Sequence, residues 1–212
     1  DAEGFCGSDT VLVDGTPVFS NLVLAGEVQG CEIRTPDGLG DPRHLTVVQQ
    51  AMIDAGIVQS AYNAPAAALL LTWLLENNPN PTKEDIKDAL SGIFIRDAGY
   101  EHYYLAVKLA QEKMKDGKYS TTIAPSFRPE CEYIGKPMSK IDGAQLVTGD
   151  KAFVEDYVPS DACHMVVLRS PHASAYIKSI DTSEAEKVEG VISILTAYNT
   201  PDTHYMQAGQ GN

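Results

Sequence analysis

Short runs of alternating apolar and polar residues open the chain, and this alternation is typical of β-strands. Residues 10–13 and 17–19 flank Asp14-Gly15, a dipeptide that supplies the positive φ angles of a hairpin turn. Residues 22–24 and 31–34 repeat the apolar pattern on a smaller scale. The pattern therefore predicts a small sheet that begins with a hairpin.

From residue 39 onward the apolar positions recur every three or four residues, which is the period of amphipathic helices. The second of the resulting segments is apolar on nearly all sides, so we expect it to lie buried between the others. Four helices joined by short loops predict a compact bundle. The predicted helices are residues 41–55, 65–75, 82–91 and 99–116, with Asp41 and Thr82 as the N-caps of the first and third.

A segment rich in Ser, Thr and Pro follows the last predicted helix and has the composition of a connector, so we place a linker at residues 118–132. The unit after it mixes strands with one short helix, and this makes the fold class α+β. Its strands end without an element to cover them, so we expect it to need a continuation or a partner chain. The predicted strands are residues 163–168, 175–180 and 191–195, and the helix is residues 182–188.

Composition narrows the classes of partner. The chain has 212 residues, of which 43% are hydrophobic, and this is enough for one ordinary domain or two small ones. Its formal net charge of -13 repels nucleic acid and anionic membrane surfaces, so we expect neither as a partner. The longest apolar run, residues 64–75, is far shorter than the roughly 20 residues that cross a bilayer.

The four cysteines, at positions 6, 31, 131 and 163, show neither the close spacing of a zinc site nor the density of a disulfide scaffold. We therefore expect a reducing compartment, the cytoplasm. The histidines lack a second ligand at metal spacing, and no Ser-His-Asp or Cys-His arrangement can be argued. No catalytic residue is predicted in this chain.

Several stretches carry a family resemblance. Residues 6–15 read Cys-Gly-Ser-Asp-Thr-Val-Leu-Val-Asp-Gly, and residues 58–65 read Val-Gln-Ser-Ala-Tyr-Asn-Ala-Pro. Asn-Pro-Asn-Pro-Thr follows at 78–82, then Ala-Leu-Ser-Gly at 89–92 and Gly-Tyr at 99–100. These motifs resemble the iron–sulfur region of the xanthine dehydrogenase and aldehyde oxidase family of molybdenum hydroxylases.

A later set of motifs resembles the opening of the catalytic subunit in that family, in the domain called the hammerhead. It consists of Ile-Gly-Lys-Pro at 134–137, Asp-Gly at 142–143, Val-Thr-Gly at 147–149 and Arg-Ser-Pro-His-Ala at 169–173. The resemblance thus covers nearly the whole chain. It implies a partial ferredoxin-like β-grasp domain at 1–38, a four-helix [2Fe–2S]-binding-type bundle at 39–117, the linker, and a partial hammerhead domain at 133–212.

The resemblance also identifies the positions that hold two [2Fe–2S] clusters in the family, which uses eight cysteines. The first set is Asp1, Cys6, Asp9 and Asn21, and the second is Ser60, Asn63, Ile95 and Asp97. Because only Cys6 keeps a thiolate, we expect no [2Fe–2S] cluster and no metal in this chain. A weak divalent ion at the first set is the alternative.

Gln59 occupies the position at which the family hydrogen-bonds the pyranopterin of its molybdenum cofactor. The resemblance therefore implies a pterin contact for Gln59. The alternative interpretation is an ordinary polar residue in the loop before the Pro65 helix.

The resemblance implies a fragment of a xanthine dehydrogenase-like oxidoreductase that hydroxylates a purine, an aldehyde or an N-heterocycle with a molybdenum-pterin cofactor. The expected partners are the remainder of the molybdopterin-binding subunit and a flavin subunit, in an oligomer. The family's catalytic carboxylate would lie beyond Asn212, so the fragment alone should be inactive. The alternatives are a structural or assembly module without a redox role, and a non-redox molybdenum hydratase or hydroxyl transferase.

Overall fold

The structure, a computed structural model, describes residues 3–116, 133–134 and 138–202. It divides into two compact units, Asp1–Pro159 and Ser160–Asn212. The first unit combines a small sheet with helices, so the predicted α+β class is confirmed. No helix in the described part of the chain has both the length and the apolar content to cross a membrane.

The sheet has three antiparallel strands in the order β2-β1-β3, namely β1 (Thr10–Val13), β2 (Thr16–Phe19) and β3 (Ile33–Arg34). The predicted hairpin turn is confirmed, since Asp14 and Gly15 have φ angles of 47° and 76°. The strand predicted at residues 22–24 is wrong. A 3₁₀ turn at Ser20–Leu22 takes the chain off the sheet after Ser20 N donates to Asp9 O, so the following residues find no strand to pair with.

Helix α1 (Val47–Asp54) begins later than predicted, and its N-cap is Thr46 rather than Asp41. Thr46 and Gln49 form a reciprocal capping box: the Thr46 side chain accepts from Gln49 N at 3.2 Å, and the Gln49 side chain accepts from Thr46 N at 2.9 Å. Asp41 instead accepts hydrogen bonds from the amides of Arg43 and His44 in a local turn. The box satisfies two backbone donors and therefore determines where the helix starts.

Three further helices follow, α2 (Ala64–Asn77), α3 (Lys83–Ala89) and α4 (Tyr100–Asp116). The predicted N-cap of α3 is confirmed, because Thr82 and Asp85 form a second capping box. Helix α2 is the centre of the core and packs against both α1 and α3, while α4 packs against α1 and α3. In α2, the residues from Ala66 to Thr72 are all buried, which matches the prediction of a helix apolar on nearly all sides.

Helix α5 (Gly143–Thr148) lies within the first unit and packs against α1 and α2. Val147 is fully buried there, and a Cβ atom at Gly143 would lie 3.2 Å from the Ile53 side chain. The first compact unit therefore extends to Pro159, past the start of the hammerhead portion expected at 133. The predicted linker, residues 118–132, lies outside the described residues.

The second unit has no β-ladder within its described residues, 160–202. The three strands predicted here are therefore wrong for this structure, and the predicted helix is reduced to a 3₁₀ turn at Ala185–Lys187. Apolar side chains such as Leu168 and Tyr176 are almost fully exposed. A strand needs a neighbour for its backbone hydrogen bonds, and none of the described residues of this unit supplies one.

Candidate functional site

Three loops of the first unit meet at the backbone carbonyl of Cys6. Asn63 Nδ2 donates a hydrogen bond to Cys6 O at 2.6 Å, and Phe94 N donates to the same oxygen at 3.3 Å. Asn63 is buried and directly precedes α2, so this bond holds the first loop against the start of the central helix. The two groups of expected cluster-ligand positions are therefore joined through one carbonyl oxygen.

Gly7 allows this close approach. Its φ angle is +74°, and a Cβ atom at Gly7 would lie 2.4 Å from Gly92 O and 2.8 Å from Ile93 Cδ1. A side chain here would therefore have both a strained backbone and a steric overlap with the turn after α3. Thr10 Oγ1 also donates to Gly7 O at 2.6 Å, which fixes the loop to the start of β1.

Ser60 and Asp97, two of the expected ligand positions, bond to each other. Ser60 Oγ donates to Asp97 Oδ2 at 2.6 Å across 37 residues of sequence, and both side chains are half-buried. Asp97 lies in the loop that leads into α4, which begins at Tyr100. Burial raises the pKa of Tyr103 in the first turn of that helix to about 12, and the nearby charges of Asp97 and Tyr100 add to the shift. The pair thus connects the loop before α2 with the loop before α4.

The side chains of the second group of ligand positions bond to different partners. Asn63 is directed to the Cys6 carbonyl, while Ser60 and Asp97 form their own pair. Ile95 is half-buried and carries an alkyl group with no donor atom. The sequence spacing places these residues on the correct loops but does not determine which side chains bond to each other.

In the first group, Cys6 Sγ lies 3.0 Å from Ser8 Oγ, and this hydrogen bond lowers the pKa of the Cys6 thiol. Asp9 is half-buried. Both amide atoms of Asn21 are buried and have no hydrogen-bond partner among the described residues. Asp1 lies outside the described residues. Over the described ranges there is no group of three His, Cys, Asp or Glu side chains that could hold a metal ion.

Gln59 lies on an exposed loop. Ile57 and Val58 before it are buried, and they anchor the loop in the core while Gln59 faces solvent. Gln59 Nε2 donates to Gly56 O at 3.0 Å, and within the described part of the chain its Oε1 has no hydrogen-bond partner. This geometry leaves the carboxamide available to an external group.

Aromatic residues next to the expected ligand positions were not singled out in the sequence. Phe5, Tyr62 and Phe94 are 67%, 77% and 78% exposed. Phe5 precedes Cys6, Tyr62 precedes Asn63, and the Phe94 amide donates to Cys6 O. The signal that could have identified them is an aromatic residue in a short polar loop. A separate cleft of about 540 Å³ between the sheet, α2 and α3 is lined by none of the predicted site residues.

Comparison with known proteins matches both halves of the chain. Residues 35–108 match the family model described as "[2Fe-2S] binding domain", and residues 148–212 match "Aldehyde oxidase and xanthine dehydrogenase, a/b hammerhead domain". The probable hypoxanthine oxidase XdhD of Escherichia coli (strain K12) is 45% identical over 210 residues, which cover 99% of this chain and 22% of that protein.

A shorter relative and a solved structure support the same family. The nicotinate dehydrogenase small FeS subunit of Eubacterium barkeri is 38% identical over 112 residues, 53% of this chain and 71% of that subunit. The aldehyde oxidoreductase of Desulfovibrio desulfuricans ATCC 27774 has a similar structure, with a TM-score of 0.67 and 27% identity over 92% of this chain and 22% of that one.

The matched regions are thus the iron–sulfur and hammerhead regions of molybdenum hydroxylase-like proteins. The chain belongs to the xanthine dehydrogenase and aldehyde oxidase family. It spans 22% of the length of the hypoxanthine oxidase relative.

These comparisons contradict the expectation that the chain has no [2Fe–2S] cluster. Residues 35–108 match a [2Fe–2S]-binding domain, and similar proteins include iron–sulfur subunits, which point to a cluster in this chain. The expectation relied on single ligand positions, whereas the match extends over the whole domain. The described side chains at these positions offer one thiol together with oxygen and amide groups and do not fit ligation by four thiolates.

Proposed function

We propose that this chain is the part of a molybdenum hydroxylase that packs beside the pterin of the molybdenum cofactor, in an enzyme that hydroxylates a purine. The observation that carries the proposal is the 45% identity to a probable hypoxanthine oxidase over 210 residues. A match that covers both units in one polypeptide favours this enzyme class over separate small iron–sulfur subunits, which match only about half of the chain.

Gln59 is the residue that we propose to contact the pterin. A carboxamide has an acceptor oxygen and two donor hydrogens, which suits the mixed donor and acceptor edge of a pterin ring. The Gln59 oxygen is without a partner in the described residues, and the side chain is exposed on an anchored loop. When bound, the cofactor supplies the metal centre at which the substrate is hydroxylated. Gln59 binds and orients the organic part of that cofactor.

The wider organisation is proposed from the same family membership. Residues 1–38 form part of a ferredoxin-like β-grasp domain, residues 39–117 a four-helix bundle, and residues 133–212 part of a hammerhead domain after the 118–132 linker. The packing of α1 to α4 and the hammerhead match at 148–212 support these assignments. The partners are the remainder of the molybdopterin-binding subunit and a flavin subunit, in a cytoplasmic oligomer.

The proposal is tested on the complete enzyme by measuring molybdenum, pterin and hypoxanthine-dependent dye reduction. Gln59→Ala should lower pterin occupancy about tenfold, because one hydrogen-bonding group is lost from a protein–cofactor contact. Gln111→Ala is the matched control, because the side-chain amide of Gln111 also donates an exposed hydrogen bond to a backbone carbonyl, that of Pro79. Purified wild-type enzyme without molybdenum would contradict the proposal and favour a structural module.

A further inference from the structure

We propose that Asp97 is a positioning residue for Gln59 and acts through Ser60. The Ser60–Asp97 hydrogen bond ties the exposed loop before α2 to the base of α4, and so sets the direction in which the Gln59 carboxamide points. The tether itself is a property of this chain. Its consequence for the cofactor rests on the proposed function of Gln59.

The bond has the geometry of a strong tether. Ser60 directly follows Gln59, and its hydroxyl donates to the Asp97 carboxylate at 2.6 Å. A hydroxyl that donates to a carboxylate forms a charge-assisted bond, which is shorter and stronger than a neutral one. Both side chains are half-buried, so water competes less for the bond than it would on an open surface.

The Gln59 loop has few other attachments. Ile57 and Val58 anchor its start in the core, Ala61 packs against the core, and Asn63 anchors its end through the Cys6 carbonyl. Between these anchors, Gln59 bonds only locally, to Gly56 O. Among the described residues, the Ser60 hydroxyl is therefore the side-chain bond that connects the middle of the loop to a distant segment.

The residues that follow Asp97 are packed against the core. Ala98, the next residue, packs against the hydrophobic core, and α4 begins at Tyr100. The side chain of Tyr103 in the first turn of that helix is also buried in the core. A bond to Asp97 therefore ties the Ser60 loop to the start of the packed helix.

Hydrogen–deuterium exchange on the complete enzyme tests the tether without relying on activity. Ser60→Ala and Asp97→Asn should each raise the exchange rate of peptides spanning residues 57–62, about tenfold for Ser60→Ala and less for Asp97→Asn, whose amide still accepts a hydrogen bond. Ser60→Thr keeps the hydroxyl and should restore slow exchange. Ser91→Ala, which removes a local serine bond to Asp88 O, is the matched control and should leave this loop unchanged.

Pterin occupancy, measured on the same variants, separates the tether from its effect on cofactor binding. Support consists of faster loop exchange together with pterin loss in Ser60→Ala, and recovery of both in Ser60→Thr. Unchanged exchange in Ser60→Ala and Asp97→Asn would overturn the tether. Faster exchange with full pterin occupancy, while Gln59→Ala loses pterin, would overturn the positioning role and leave the proposed function standing. Full occupancy in Gln59→Ala would instead reject the proposed function.

Discussion

Helix α2 and the segment at residues 163–168 are both rich in large aliphatic residues, yet their side chains have opposite environments. Leu71 of α2 is fully buried, whereas Leu168 is 98% exposed. A helix satisfies its backbone hydrogen bonds within its own segment, but an extended segment needs a neighbouring strand before its apolar face can pack. The first unit therefore closes a core around α2, while the described part of the second unit leaves most of its large apolar side chains exposed.

The largest expected effect is on the stability of the core around α2. Leu71→Ala should lower the free energy of unfolding by about 2–5 kcal/mol, because it leaves a cavity in a packed core. Leu168→Ala, the same change in the second unit, should alter it by less than about 0.5 kcal/mol. Urea unfolding followed by circular dichroism measures both, and similar losses in the two variants would show that the second unit packs in solution.

A second prediction compares two glycines with the same backbone conformation. Gly7→Ala should destabilise the first unit by about 2–4 kcal/mol, because the new Cβ atom would overlap Gly92 O in addition to straining a positive φ. Gly15→Ala has a similar φ angle but open space around it, so it should cost only about 1 kcal/mol. Thermal unfolding of the two variants isolates the packing contribution, and equal losses would mean that the loop of Gly7 gives way at little cost.

Local signals made most of the first unit predictable. The hairpin at Asp14-Gly15 and the cap at Thr82 need only neighbouring residues, and both are found as predicted. The start of α1 was misplaced because Asp41-Pro42 carries the same capping signal as Thr46, and only the reciprocal bond with Gln49 decides between them. Strands in the second unit depend on partners far away in sequence, which no local pattern contains.

The candidate site shows the same limit. Spacing located Ser60, Asn63 and Asp97 on their loops, but it could not show that Ser60 pairs with Asp97 while Asn63 bonds to Cys6. Those choices depend on how loops 37 and 57 residues apart in sequence pack together. The cofactor expectation was wrong for a related reason, since it considered ligand positions singly whereas the domain match extends over residues 35–108.

A third prediction compares threonine side chains of the two units. Thr82→Ala should destabilise the first unit by about 1 kcal/mol, because it removes an N-cap from a helix that packs against α2 and α4. Thr182→Ala removes a hydroxyl bonded to Glu186 near an exposed 3₁₀ turn and should change the unfolding free energy by less than about 0.5 kcal/mol. A loss as large in Thr182→Ala, measured by urea unfolding, would contradict the assignment of stability to the helical unit.

The smallest expected effect concerns acid stability and two aspartates. Hydrogen bonds from the amide and hydroxyl of Thr82 lower the pKa of Asp85 in the folded chain, and the amide of Ser183 lowers the pKa of Asp181. A carboxyl group with a lowered folded pKa stabilises the fold above its unfolded pKa of about 3.9, and this contribution is lost as pH falls through the folded value.

Asp85 belongs to the capping box of α3, so its protonation should weaken the helical first unit. Asp181 lies in the second unit, where local opening exposes little additional apolar surface. Asp85→Asn should therefore flatten the fall in stability below about pH 4, relative to wild type, while Asp181→Asn should leave the pH profile of helix unfolding unchanged. Urea unfolding by circular dichroism from pH 3 to 6 measures this difference, and a flattened profile in Asp181→Asn would show that the two units unfold together.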